Sequence, residues 1–208
     1  MTGTTTRICF IRHGETDWNS QFRYQGQIDL ELNMSGLAQA EALEAYFFKS
    51  AISAIYSSDL TRARQTAIPI SRATGLPISP MLSLRERHFG RCEGLTIEEI
   101  IEQYADDAQA IESNAPDYVL PGGESRRQLN DRVLVCIEQL VRAHHGQAIA
   151  VVTHGGVLDV IYRRVRGMPI DAPRDYPIPN TGINWVAISG AEWLIEVWGS
   201  TPHLDKTA

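Results

Sequence analysis

Arg12, His13, Arg62 and His154 are residue types that can grip a phosphate or carboxylate, and their settings repeat a pattern. Arg12 and His13 follow the apolar run Ile8-Cys9-Phe10-Ile11 and precede Gly14, so a buried strand ends there in a turn. His154 follows Ala148-Ile149-Ala150-Val151-Val152-Thr153 and precedes Gly155-Gly156 in the same manner. Arg62 comes after the short strand Ile52-Ser53-Ala54-Ile55-Tyr56 and the polar Ser57-Ser58-Asp59, in the first turn of a predicted helix. In a parallel sheet these three tips share one edge, where open α/β sheets bind ligands. The histidines are 141 positions apart, yet this geometry could bring them together. Helix N-termini add free N–H groups and partial positive charge, and the arginine fork suits phosphate or carboxylate. The pattern reads as an anion site. Two other readings stay open. The two histidines with Glu15, Asp17 or Glu86 could ligate a metal, although no histidine pair at ligand spacing is present and the arginines would repel a cation. A binding module without catalysis would also use such a site.

The elements that must position these residues alternate. A helix capped by Ser35 is predicted to run to about Phe48, with Leu37, Ala40, Leu43 and Phe47 on one face. The arginine-bearing helix spans about Leu60 to Ala73, stopped by Gly75 and Pro77. Met81 to Gly94 reads as a strand fragment and loop. Thr96 with Glu99 forms a capping-box pattern, opening a helix with Ile97, Ile100, Ile101 and Tyr104 inward. Asn114 to Gly123 is loop. Ser125 with Gln128 is a second capping box, followed by the stripe Leu129, Val133, Ile137 and Leu140. A helix is expected from about Val157. Ile183–Ile188 and Trp193–Trp198 read as a hairpin joined by Ser189-Gly190-Ala191-Glu192. The last residues are expected to fray. Strands alternating with helices predict an α/β fold with a mainly parallel sheet and helices on both faces.

Bulk properties narrow the field. The 208 residues suit one domain spanning 1–208 with a modest insertion, and a core that needs no staples. A net charge of −6 argues against a general nucleic-acid or anionic-membrane binder. Cys9, Cys92 and Cys136 are odd in number and widely spaced, with no metal or redox pairing; Cys9 and Cys136 fall at apolar core positions. The polar start, Met1 to Thr6, has no hydrophobic segment of signal-peptide length, and no apolar run approaches membrane-spanning length. A reducing cytoplasm is the expectation. His144-His145, at a helix end, and the run Arg163, Arg164 and Arg166 read as structural and as a solvated basic face respectively. His88 and His203 carry no signal alone.

With these residues in hand, the chain resembles the histidine phosphatase superfamily, in its phosphoglycerate mutase-like branch, over nearly its whole length. The carrying motifs are Arg12-His13-Gly14-Glu15-Thr16 with Trp18 and Asn19, and Tyr56-Ser57-Ser58-Asp59-Leu60-Thr61-Arg62-Ala63-Arg64-Gln65-Thr66-Ala67. Leu84-Arg85-Glu86 with Phe89-Gly90 and Glu93-Gly94, Pro121-Gly122-Gly123-Glu124-Ser125, and Val152-Thr153-His154-Gly155-Gly156 complete the set in order. Cys92 stands where many relatives carry tryptophan. The resemblance implies a three-layer αβα sandwich. It implies that His13 attacks phosphorus and is phosphorylated, that Arg12, Arg62 and His154 hold the phosphoryl oxygens, and that Glu86 is general acid and then base. Neighbouring arginines would keep His13 neutral, and a phosphate dianion would help keep Glu86 protonated. Asn19, Gln25, Gly26 and Gly155 are expected to line the substrate site. No metal or cofactor is required, because arginines supply the positive charge.

Both phosphatases and bisphosphoglycerate-dependent mutases use these core residues. Glu86 and His154 are only 68 positions apart, which looks compact and phosphatase-like. The segment from about 94 to 123 would form a lid, with Tyr104 and Tyr118 but few basic residues, so nothing in it demands a multiply charged substrate. The expected substrate is a small phosphorylated metabolite. A homodimer is one way in which an exposed hairpin edge could be covered.

Overall fold

The computed structural model describes residues 5–205; positions 1–4 and 206–208, with part of the frayed ends expected from sequence, lie outside the described residues. Strands β1 (Thr6–Arg12), β2 (Ala54–Ser58), β3 (Ile78–Met81), β4 (Ala148–Thr153), β5 (Ile183–Ser189) and β6 (Glu192–Ser200) form one sheet in the order β3-β2-β4-β1-β5-β6. The β3, β2, β4 and β1 pairings are parallel, and β5 and β6 add an antiparallel hairpin. The strand alternation of period two sorts the core into two layers. Ile8 and Phe10 of β1, with Ile149 and Val151 of β4, face α6 (Arg126–Ala143) and α7 (Gly155–Arg166). Cys9 and Ile11, with Ala150 and Val152, face α2 (Met34–Phe47) and α3 (Thr61–Thr74). The sandwich predicted from alternation and resemblance is therefore the observed one, and Cys9 and Cys136 are buried core thiols.

Boundaries shift for local reasons. Asn33 rather than Ser35 caps α2, because its side chain accepts the Gly36 N–H; Leu37 then turns outward, 40% exposed. Ser57 and Ser58 belong to β2, and α3 begins after Leu60 with no side-chain cap. Asp59 instead takes a bidentate hold on Arg85, at 2.8 and 2.5 Å. Both capping boxes form, at Thr96 and at Ser125. The helix after Thr96 stops at Gln103, and Tyr104 separates α4 (Ile97–Gln103) from α5 (Ala105–Glu112), a helix that periodicity did not reveal. Ile100 is buried there, but Ile101 is 48% exposed. The α4–α5 segment has its own small core of Cys92, Ile100, Ala108 and Leu120. α7 starts at Gly155, two residues before the expected Val157. The hairpin turn is shorter than expected, since Ser189 and Glu192 pair within the strands. A single helical turn, α1 (Asp17–Ser20), follows the first tip.

Candidate active site

The parallel register sets Arg12 opposite Thr153, and the His13 N–H continues the ladder to the Thr153 carbonyl at 2.9 Å. The next residue on each strand is therefore a histidine at the same edge. Their ring centroids are 5.1 Å apart. The turn after His13 is tight because two backbones touch. A Cβ on Gly14 would lie 2.6 Å from the Gly36 carbonyl oxygen, and one on Gly36 would lie 2.0 Å from that of Glu15. The His13 Nδ1 lies 2.7 Å from the Gly14 carbonyl oxygen. A carbonyl only accepts, so Nδ1 carries the hydrogen and the lone pair of the neutral ring is on Nε2. Burial, then the charges of Arg62 and Arg12, hold His13 well below the usual histidine range. The sequence reading credited the arginines; burial comes first. His154 is held low by the same causes.

Each arginine is aimed by backbone carbonyls. Arg12 donates Nη1 to Ile178 O at 2.7 Å, while Arg62 donates to Ile28 O at 2.8 Å and Gly26 O at 2.7 Å. Burial lowers both guanidinium groups from their ordinary value, Arg62 to about 10. Both Nε atoms, both ring nitrogens of His154 and the Gln25 Oε1 are buried and have no protein hydrogen-bond partner. So many unpaired polar atoms in one place are costly unless a ligand pairs them. Glu86 accepts the Gly156 N–H at 3.1 and 3.0 Å and the Arg87 N–H at 2.7 Å. Arg12 Nε and Glu86 Oε2 each lie 3.8 Å from the place a Gly155 Cβ would take. Arg12, His13, Asn19, Gln25, Gly26, Arg62, Glu86 and Gly155 all line one cleft of about 570 Å³, and His154 is buried beside His13.

Some expected residues have other duties. Asn19 is the third residue of a capping box, and its Oδ1 accepts from Thr16 N at 3.1 Å; only its amide nitrogen is left for a ligand. Glu15 turns to Asn33 and, like Asp17, does not line the cleft. Arg163 is not on a solvated face. It is 4% exposed, donates to Asp159 and to the Pro169 carbonyl, and lines the cleft.

Several positioning residues escaped the sequence reading. Asn180 donates to the His13 carbonyl at 2.9 Å, and the Thr181 N–H donates to that of Arg12, so the loop before β5 clamps the first tip. Arg132 of α6 donates to the carbonyls of Ser83 and Arg85 and pairs with Glu124 at 2.5 Å, fixing the Glu86 segment. Glu93, quoted in the sequence only as part of a motif and without a role, accepts the Gln27 N–H at 3.0 Å and so steadies the loop whose carbonyls aim Arg62. Arg87, Arg126 and Arg174 also line the cleft. Their only sequence signals were positions beside Glu86 and Ser125 and in a proline-flanked loop.

The geometry has counterparts in known proteins. Residues 8–201 match the sequence profile of the histidine phosphatase superfamily (branch 1). The chain is 39% identical over 204 residues to the Metal-independent phosphoserine phosphatase of Arabidopsis thaliana, covering 97% of this chain and 84% of that protein. It is equally similar, at 39% over 204 residues, to Phosphoglycerate mutase-like protein 4 of the same plant, covering 96% and 87%. The solved structure of Bacillus stearothermophilus YhfR superposes with a TM-score of 0.88 at 30% identity, covering 95% of this chain and 98% of that one.

Proposed function

The chain belongs to the histidine phosphatase superfamily, and we propose that it is a phosphomonoester hydrolase working through a phosphohistidine on His13. The observation that carries this reading is the set of buried, unpaired polar atoms on Arg12, Arg62 and His154 beside a neutral His13. They match what a phosphoryl group needs: charge and donors around its equatorial oxygens, with a nucleophile in line. The lone pair of His13 Nε2 attacks phosphorus, and the bond to the ester oxygen breaks. Glu86 gives its proton to that oxygen. Water then attacks the phosphohistidine and yields a proton to Glu86, and the phosphorus–nitrogen bond breaks, releasing phosphate and neutral His13. The arginines supply the positive charge throughout.

Residues 94–123 act as a lid in this reading, since Ile97, Ile111, Glu112 and Asn114 line the cleft. The short separation of Glu86 from His154 favours hydrolysis over mutase chemistry, which needs a water-poor pocket. Among the described residues no helix is long and apolar enough to cross a membrane, and the free, buried cysteines fit the reducing cytoplasm we assign to it.

The test is phosphate release from phosphomonoesters by the wild type and by His13→Ala, with and without bisphosphoglycerate. We expect release without bisphosphoglycerate, an acid-labile phosphoenzyme in the wild type, and neither in the variant. Substantial activity in His13→Ala would sink the assignment. Isomerisation of phosphoglycerate only when bisphosphoglycerate is added would make the protein a mutase.

A further inference from the structure

Arg62 and Glu86 have to serve one phosphoryl group together, the first at its equatorial oxygens and the second at the leaving oxygen. They come from different segments, Arg62 from α3 and Glu86 from the loop that follows β3. The stretch Gly26-Gln27-Ile28-Asp29 bonds to both. The carbonyls of Gly26 and Ile28 accept the two arms of the Arg62 fork. Asp29 accepts the Thr61 N–H at 2.6 Å and the Thr61 hydroxyl at 2.9 Å, which seats the same stretch on the first turn of α3, directly before Arg62. On the other side, Glu93 Oε1 accepts the N–H groups of Gln27 and Phe89, each at 3.0 Å.

The Gln27 side chain completes the connection. Its Nε2 donates to the Glu86 carbonyl at 3.1 Å, and its Oε1 accepts from Arg85 Nη1 at 3.3 Å. These partners fix the orientation of the amide, because a carbonyl only accepts and a guanidinium only donates. Arg85 then closes a ring of contacts, since its fork grips Asp59 in the turn that leads into α3 and so back to Arg62. Arg132 also donates to the Glu86 carbonyl, at 3.3 Å, and ties the acid segment to α6. Gln27 ties it to the loop that aims Arg62.

Gln27 is half-buried and does not line the cleft, although its neighbours Gln25 and Gly26 do. Its bonds are therefore spent on other residues of the site and not on a ligand. We propose that Gln27 is a positioning residue that sets the Arg62 guanidinium and the Glu86 carboxyl at their working separation. The roles of those two residues rest on the phosphatase reading above. The separation matters because a misplacement of about 1 Å can cost about 10²-fold in rate. Glutamine suits the position because one amide donates and accepts at once. Glutamate there would set an acceptor against the Glu86 carbonyl, and methionine would offer neither bond.

The test compares the wild type with Gln27→Met and Gln27→Glu on glycerol 3-phosphate and nitrophenyl phosphate, with the Kd for inorganic phosphate measured by calorimetry. Gln27→Met should lower kcat on glycerol 3-phosphate by about ten-fold and on nitrophenyl phosphate much less, the scale of two lost hydrogen bonds. It should weaken phosphate binding about three-fold through Arg62. Gln27→Glu keeps the acceptor for Arg85 and should reproduce the leaving-group effect; it carries the same comparison if Gln27→Met does not fold. In a Glu86→Gln background, Gln27→Met should slow both esters alike, because the proton donor is already gone. A merely structural role would lower the melting temperature and slow both esters equally in the wild-type background. That result, or wild-type kinetics, would overturn the proposal. A leaving-group effect with unchanged phosphate affinity would confine Gln27 to the acid and overturn the link to Arg62. Should the wild type hydrolyse no ester, the phosphatase reading fails, and phosphate affinity alone decides: a weaker Kd in Gln27→Met upholds the positioning and an equal one overturns it.

Discussion

At the scale of single residues, the chemistry turns on what each polar atom is left to do. His13 spends Nδ1 on the Gly14 carbonyl, which fixes the tautomer and frees Nε2. Arg62 spends two nitrogens on the carbonyls of Gly26 and Ile28 and keeps a buried Nε unpaired. Lysine could not make both bonds and still face the cleft. Glu86, the proposed acid, differs because its job depends on the substrate. Replacing it with glutamine should slow alkyl phosphates by about 10²-fold or more, the usual reach of general acid catalysis, and nitrophenyl phosphate much less. Equal slowing of both esters, measured as kcat, would show that Glu86 does not protonate the leaving oxygen.

At the scale of elements, the start of α7 does two things at once. It places His154 at the strand tip, and it offers the Gly156 N–H to Glu86. Only glycine permits the second, because a Cβ on Gly156 would lie 2.2 Å from Glu86 Oε1. Gly156→Ala should therefore push the carboxylate off its seat while the helix persists. The expected result is a fall in kcat of about ten-fold for alkyl phosphates, in line with the 1–3 kcal/mol typical of overpacking, and a smaller fall for nitrophenyl phosphate. Wild-type kinetics in this variant would mean that the Gly156 contact does not position the acid. The loop before β5 plays the matching part for the nucleophile, through Asn180 and Thr181.

At the scale of the whole molecule, burying neutral histidines ties stability to pH. His13 and His154 sit well below the ordinary value of 6.5, and burial lowers His203 to about 4. Below pH 6.5 the unfolded chain takes up protons that the folded chain refuses, so their contribution is present above that pH and lost as pH falls. Asp59 and Asp107 are lowered from 3.8, so their stabilisation is lost only in more acid solution. Between pH 6.5 and 5 the histidines should dominate, with stability falling by about 1 kcal/mol per pH unit for each buried histidine. Thermal melting across this window should show the decline, and His154→Gln should make it shallower. An unchanged slope in that variant would show that His154 is not held neutral by the fold.

The same scales separate what could be read from the sequence. The continuous apolar runs Ile8–Ile11 and Ala148–Val152 determined two buried parallel strands, and the polar residues ending each run determined which edge carries chemistry. Thr96 with Glu99 and Ser125 with Gln128 determined two helix starts, because a capping box is a local bond between neighbours in sequence. Tertiary structure decided the rest. Asp59 is a good cap type, yet a bidentate arginine from a distant segment outcompeted the cap. Arg163 lies in a basic run, yet packing turned it inward onto Asp159 and the Pro169 carbonyl. The carbonyls of Gly26, Ile28 and Ile178 aim two arginines, but a carbonyl is the same in every residue and leaves no mark on the sequence. The gathering of Arg87, Arg126 and Arg174 around one cleft depends on three segments far apart in the chain, and only the folded arrangement determines that their charges meet.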